Sequence, residues 1–297
     1  MKQLILVLIA ALSVATSASA QDKIPVIATF SILGDLVKNV GGDRVDVGTL
    51  VGADSDSHAY TPTPADAKRV AASKVVFING LGLEGWTPRL VKASGAKATT
   101  VTVSKGITSR KMEEAGHGHG HQAADPHAWQ SVANAKVYVA NIREALAAAD
   151  PAGKSVYDTN ATAYLARLDA LEAEVRDAIG KIPADRRRII TSHEAFGYFG
   201  AAYGIAFVAP VGVSTESAVS ARDVARIIAQ IKKQKIPAVF LDNVADQRMM
   251  EQIAKESGAK IGGRLFSDAL SDANGPAPSY IDMMRHNVQQ LTAALTS

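Results

Sequence analysis

The chain contains no cysteine among its 297 residues. That excludes disulfides, thiolate metal ligands and a thiol for lipid attachment, so any bound metal has to be met by imidazole or oxygen. Excess charge of one sign is also missing: 32 basic against 29 acidic residues leave a formal +3. The single basic run, Arg186-Arg187-Arg188, precedes an apolar strand-like stretch with no interleaved aromatic residue. It reads as a solvated strand entrance, and no nucleic-acid partner is expected. Long apolar runs are absent beyond the first residues, where Leu4 to Leu12 falls short of the ~20 residues of a spanning helix.

That short run has a different reading. Lys2, the apolar stretch and Ala18-Ser19-Ala20 form a charged region, a hydrophobic region and a small-residue cleavage site. Met1–Ala20 is therefore expected to be a signal peptide removed on export, giving a freely soluble periplasmic protein without a lipid anchor. About 275 residues remain, enough for one large or two modest cores.

Strand-like and helix-like segments alternate through the remainder. Pro25–Thr29, Arg44–Leu50, Lys74–Ile78 and Thr99–Val103 read as strands, with helices near Ile32–Val40, Pro64–Ala72 and Glu84–Ala93. In the second half Arg188–Thr191, Ala206–Ala209, Ala238–Leu241 and Lys260–Arg264 read as strands, among helices at Ala195–Tyr203, Ala221–Lys233, Asp246–Ser257 and Ser279–Leu295. Such alternation predicts the α/β class with mostly parallel sheets covered by helices. Two series predict two lobes, residues 21–149 and 183–297.

One long rigid helix, residues 150–182, is predicted to join them. Asp150-Pro151 supplies an N-cap and a first-turn proline, and Tyr164, Leu168, Leu171, Val175 and Ile179 recur at steps of four and three. Gly180 and Pro183 end it, after roughly thirty residues or about 45 Å.

Four metal-capable side chains acquire a common location in this scheme. His58, His127, His193 and Asp268 each follow a strand, two in each half. Ligands of open α/β sheets bind outside the carboxyl ends of the strands, so facing lobes would bring these four together. Taken singly, each could be only a cap or a surface residue. Thr63 caps a helix beginning at Pro64, for example, which orders the segment around His58 without any ion.

Five motifs in order carry a resemblance: Ser57-His58-Ala59-Tyr60-Thr61-Pro62-Thr63-Pro64, Asn79-Gly80-Leu81-Gly82-Leu83-Glu84, Asp125-Pro126-His127-Ala128-Trp129, Thr191-Ser192-His193-Glu194-Ala195-Phe196-Gly197-Tyr198-Phe199 and Phe266-Ser267-Asp268-Ala269-Leu270. The chain resembles the metal-binding solute receptors of bacterial ABC importers for zinc and manganese, known as cluster A-I or family 9. The resemblance implies metal ligands at His58, His127, His193 and Asp268, two lobes on a long helix, and an ABC permease of the inner membrane as partner. Ser57 departs from the proline that often precedes the first ligand.

Position 193 bears on the metal, since manganese-associated relatives often carry glutamate there and zinc-associated ones histidine. Three nitrogens and a carboxylate suit zinc (Zn2+), whereas manganese (Mn2+) prefers more oxygen. Zinc is expected, with manganese or iron as the alternative, because Leu241-Asp242-Asn243 and Gln247-Arg248-Met249-Met250 resemble manganese-type relatives. His117, His119 and His121 alternate with glycine in a polar stretch, residues 108–124, without helical or strand period. They form either an auxiliary capture loop for metal or a tolerated insertion.

Other chemistries fit less well. Gly80-x-Gly82-x-x-Gly85 has the spacing of a dinucleotide fingerprint, but no Asp or Glu occurs from Trp86 to Lys105 to hold a ribose, and Pro88 removes an amide. No nucleotide is expected. Enzymatic activity is not expected either: there is no H-E-x-x-H pair, and four protein ligands leave no open position for water. Glu194 reads as a first-turn carboxylate of the following helix, and His286 as a surface residue. A monomer is expected; a metal-stabilised adhesion protein is the alternative outside transport. Imidazoles coordinate only when neutral, so affinity should fall below roughly pH 6.5.

Overall fold

The computed structural model describes residues 22–111, 124–216 and 219–296. Met1–Ala20 and His117, His119 and His121 lie outside the described residues.

Two four-stranded parallel sheets organise the chain. The first contains β1 (Ile24–Phe30), β2 (Val45–Val51), β3 (Val75–Ile78) and β4 (Thr99–Thr102), in spatial order β2-β1-β3-β4. The second contains β5 (Arg188–Ile190), β6 (Ala206–Val208), β7 (Ala238–Asp242) and β8 (Lys260–Leu265), in the equivalent order β6-β5-β7-β8. In both, the first strand sits inside, so successive connections leave it in opposite directions. A crevice opens at that switch, at the carboxyl ends of the strands.

Helices cover the sheets: α1 (Ser31–Gly41), α2 (Pro64–Ala72) and α3 (Thr87–Ser94) in the first half, and α6 (Gly197–Tyr203), α7 (Ala221–Gln234), α8 (Gln247–Ser257) and α9 (Tyr280–Thr296) in the second. Between them run α4 (Val132–Ala149) and α5 (Lys154–Gly180). No helix among the described residues is long and apolar enough to cross a membrane.

The long helix is somewhat shorter than the sequence suggests. Pro151–Gly153 form a 3-10 turn, and α5 then runs for 27 residues, about 40 Å. Asp150 does not cap it with its side chain. Its carboxylate instead accepts from Arg44 Nη2 at 2.6 Å and from the Tyr157 hydroxyl at 2.8 Å, tying the start of α5 to the 3-10 turn, Gly42–Arg44, that leads into β2. The buried stripe of α5 is the predicted one, extended upstream by Tyr157 and Ala161. It packs on α1, α4 and α9. Seven buried side chains, most of them large, give on the order of 10 kcal/mol of gross apolar burial.

A single apolar interior results. Phe30, Leu33 and Phe77 of the first half, Trp129, Tyr138 and Leu168 between, and Ile189, Phe240, Leu265 and Met284 of the second belong to one continuous cluster. A satellite cluster of Ile227, Ile231, Val239, Met250 and Ile253 seats α7 and α8 on β7. The halves are also hydrogen-bonded above this core: Trp129 Nε1 and Gln130 Nε2 both donate to Ser267 O, at 2.9 and 2.8 Å.

Two helix starts differ from expectation for a visible reason. The helix expected from Glu84 begins at Thr87, because Gly80, Leu81 and Gly82 all take positive φ (80°, 55° and 89°) and turn the chain back. That turn lets the buried Glu84 carboxylate accept from the N–H groups of Asn79 and Gly80, at 2.7 and 3.1 Å. The helix expected from Ala195 begins at Gly197, leaving Glu194 in the preceding loop rather than in a first turn. Glu194 N–H bonds to Gly212 O, and burial, then the Asp125 charge, raises its carboxyl pKa.

Candidate metal centre

All four candidate residues emerge from carboxyl ends of strands, and the structure brings all four together. One ligand-capable atom from each of His58, His127, His193 and Asp268 lies within 4.8 Å of the others.

His58 ends the loop that leaves β2. The Asp56 carboxylate accepts its backbone N–H at 2.8 Å, an Asx turn, and Trp86 Nε1 fixes the preceding Ser57 carbonyl at 3.2 Å. Downstream, Thr63 and Asp66 form a reciprocal capping box on α2 with Pro64 at its start, as the sequence anticipates. Burial pushes the His58 imidazole down to about 4, so that ring is neutral near pH 7.

His127 follows β4 after the long insertion. Asp125 orients it twice, accepting its backbone N–H at 3.0 Å and meeting ring Nδ1 at 2.9 Å. Asn79 Nδ2 donates to Pro126 O at 2.9 Å, so the turn built on Glu84 also braces this segment. His193 follows β5 and makes an isolated parallel bridge with Val211. Its Nδ1 lies 2.9 Å from Asp242 Oδ2, at the end of β7. Asp268 follows β8, and Ser267 Oγ reaches both the Asp242 and the Asp268 carboxylates, at 2.8 and 3.1 Å.

With Nδ1 of His127 and His193 facing carboxylates, their Nε2 atoms converge. His58 Nε2 is 3.2 Å from His127 Nε2; Asp268 Oδ1 lies 3.1 Å from His127 Nε2, and Asp268 Oδ2 lies 2.9 Å from His193 Nε2 and 3.8 Å from His58 Nε2. Tetrahedral zinc with bonds of about 2.0–2.1 Å requires ligand-to-ligand edges near 3.3 Å, so a cluster spread over as much as 4.8 Å has to draw in modestly around such an ion. Asp268 Oδ1 and both ring nitrogens of His193 are buried without a well-aligned hydrogen bond, although Nδ1 stands close to Asp242. Buried polar atoms left in that condition call for a further partner, and a cation among them supplies one.

The electrostatics favour a cation. Asp125, Asp242 and Asp268 are all buried, and none is paired face-on with Lys or Arg; Arg110 Nε stands 3.8 Å from Asp125. Burial opposes ionisation of Asp268, but His127 and His193 outweigh it and hold its carboxyl well below the usual range. Burial likewise lowers His193, yet the Asp268 and Asp242 charges outweigh it and push the imidazole well above its ordinary value. His127 is raised in the same way, chiefly by Asp268 against burial. Both shifts mark a site that favours positive charge.

Two roles escaped the sequence reading. Asp125 and Asp242 were visible only as parts of motifs. The D-x-H spacing of an Asx turn could have flagged Asp125, whereas nothing local links Asp242 to a histidine 49 positions earlier. His286, expected at the surface, is half-buried: its Nε2 meets Arg264 O at 3.0 Å and its ring stands edge-on to Phe266.

Known proteins are similar to this one over nearly the whole chain. Residues 26–294 match the family described as zinc-uptake complex component A, periplasmic. The chain is 35% identical to the manganese-binding lipoprotein MntA of Halalkalibacterium halodurans, over 91% of this chain and 88% of that protein. It is 34% identical to the iron-binding protein YfeA of Yersinia pestis, over 95% and 89%. The solved periplasmic zinc-binding protein TroA of Treponema pallidum superposes with a TM-score of 0.87 at 32% identity, covering 93% of this chain and all of that one. With two equivalent parallel sheets, a long intervening helix and a three-histidine, one-aspartate cluster between them, the chain belongs to this family of periplasmic metal-binding receptors of ABC importers.

Proposed function

We propose that the receptor's cargo is Zn2+, held by His58, His127, His193 and Asp268 and surrendered to an inner-membrane ABC permease. The observation that carries this reading is the convergence of the four side chains, two from each sheet. Three imidazole nitrogens and one carboxylate form a donor set that suits zinc better than manganese or iron. Relatives named for manganese, iron and zinc keep Mn2+ as the alternative cargo. Elemental analysis of protein purified without added metal, followed by competitive titration, tests the preference; tighter binding of manganese than of zinc would reverse it.

Export through a leader, Met1–Ala20, and action as an unanchored monomer complete the proposal. His117, His119 and His121 serve as auxiliary capture ligands. The ends of their segment, Lys111 and Ala124, pair as an antiparallel bridge, and Ala124 lines a cavity of about 610 Å³ that borders His58. Deleting residues 117–121 should slow uptake at limiting zinc and leave uptake at ample zinc unchanged; equal uptake at limiting zinc removes the capture role.

A further inference from the structure

His58 is held differently from the other two histidines. Asp125 backs Nδ1 of His127 and Asp242 faces Nδ1 of His193, each at 2.9 Å. No carboxylate backs Nδ1 of His58 among the described residues. Its side chain is also the most exposed of the four, at 5% against 1% or less. The cavity of about 610 Å³ beside it offers room for the ring to swing.

What fixes His58 is the loop before it, and that loop is fastened to the opposite half. Asp56 Oδ1 accepts the His58 N–H at 2.8 Å, while its Oδ2 accepts the Thr215 hydroxyl at 2.6 Å. Two residues earlier, Asp54 takes a positive φ of 48°. Its N–H donates to Leu270 O at 2.9 Å, and its carboxylate accepts from Asn243 Nδ2 at 3.1 Å. A non-glycine residue in the left-handed region persists where neighbouring contacts over-determine it, and here two cross-lobe bonds do so. The loop from the first sheet therefore takes its shape from the second.

We propose that Asp56 and Thr215, supported by Asp54 and Asn243, form a clasp that positions His58 on the ion and sets the rate at which the ion leaves. The inference rests on the reading of the four residues as metal ligands. Wide parting of the lobes is opposed by the continuous apolar interior and by the Trp129 and Gln130 bonds to Ser267 O. Release then falls to the ligand that can move alone. With the clasp open, the Asx turn loses its anchor, His58 withdraws toward the cavity, and the ion is left with three ligands.

Stopped-flow dissociation of zinc into a chromophoric chelator tests this on the full receptor. Thr215→Val, which removes the hydroxyl at nearly constant volume, should raise the off-rate about tenfold with little change in on-rate, as expected for loss of a hydrogen bond to a charged acceptor. Thr215→Ser, which keeps the hydroxyl, should return the off-rate to within about twofold of the parent, a rescue that a packing role for the threonine would not give. An unchanged off-rate in Thr215→Val, or a serine variant as fast as the valine one, overturns the clasp. If Thr215→Val does not fold, Asp54→Gly decides by the same criterion, since glycine accepts the positive φ while removing the carboxylate. The underlying reading fails separately, if the parent protein shows no saturable zinc or manganese binding.

Discussion

His193 Nδ1 stands 2.9 Å from Asp242 Oδ2 while its Nε2 faces Asp268 at the same distance, so one ring is oriented between two carboxylates. A carboxylate that takes a hydrogen bond from the outer nitrogen of a metal-bound imidazole orients the ring and raises its basicity, and Asp242 stands within reach of that role. Asp242→Ala should therefore weaken zinc binding by about 10–100-fold although Asp242 touches no ion. Competitive titration against a calibrated chelator measures this; an unchanged affinity would make Asp242 a mere strand-end cap.

Exchanging the ring for a carboxylate tests metal preference. His193→Glu raises the oxygen count of the site and should move the zinc-to-manganese affinity ratio toward manganese by roughly tenfold. Because the new carboxylate meets Asp242, the pair His193→Glu with Asp242→Asn should bind manganese better than the single variant. Isothermal titration of both metals reads the ratio, and a ratio unmoved in both variants refutes the assignment of position 193 as the selector.

Proton competition sets the pH dependence. His193 and His127 are raised above the ordinary imidazole value of 6.5 by the neighbouring carboxylates, so protons compete with an ion at higher pH there than at a free imidazole. His58, at about 4, is already neutral there. Loss of affinity should thus begin above pH 6.5 rather than below it, and steepen to as much as about tenfold per pH unit for each proton displaced. Zinc titrations from pH 8 to 6 check this; a flat profile across that range contradicts it.

The metal-free protein should show the opposite trend. Histidines whose folded pKa is raised stabilise the fold fully below 6.5, and that contribution is lost as pH climbs through their folded values. His58 works the other way: its lowered value stabilises above 6.5 and is lost between 6.5 and about 4. Calorimetry of chelated protein should find stability declining from pH 6.5 upward, whereas the zinc-loaded form should not decline there.

Chelation itself should leave the protein folded, because the apolar interior closes without the ion. Saturation at a thousand times Kd adds about 4 kcal/mol, a rise in Tm of roughly 10 °C for a chain of this size. Circular dichroism melts with and without chelator decide; outright unfolding on chelation would point to a structural metal and an adhesion-type role instead.

The strands were legible because short β-branched runs between helical stretches leave few alternatives, and all eight lie within about two residues of the expected positions. The convergence of His58, His127, His193 and Asp268 was partly legible: strand ends suggest a common edge, but the choice of these four rested on the motifs shared with the metal-receptor family. The helix α4 was not recognised. Its buried residues, Val132, Ala135, Tyr138, Val139, Ile142 and Leu146, recur at helical spacing, but alanines on its other faces blur the contrast that marks amphipathicity. The start of α3 lies three residues beyond the local helix signal because a buried Glu84 satisfies amides of a left-handed turn, a tertiary arrangement that local propensity does not encode. Asp242 lies furthest from inspection, since its partner is joined to it only by sheet geometry.

The shared apolar interior has a practical consequence for anyone dissecting this molecule. Severed near Asp150, the N-terminal piece would lay bare the faces of α1 and α4 that α5 now covers, and the C-terminal piece would uncover α5 and α9 along their lengths. Neither fragment should fold by itself or retain half a binding event, and limited digestion should yield intact protein or small peptides rather than two stable halves.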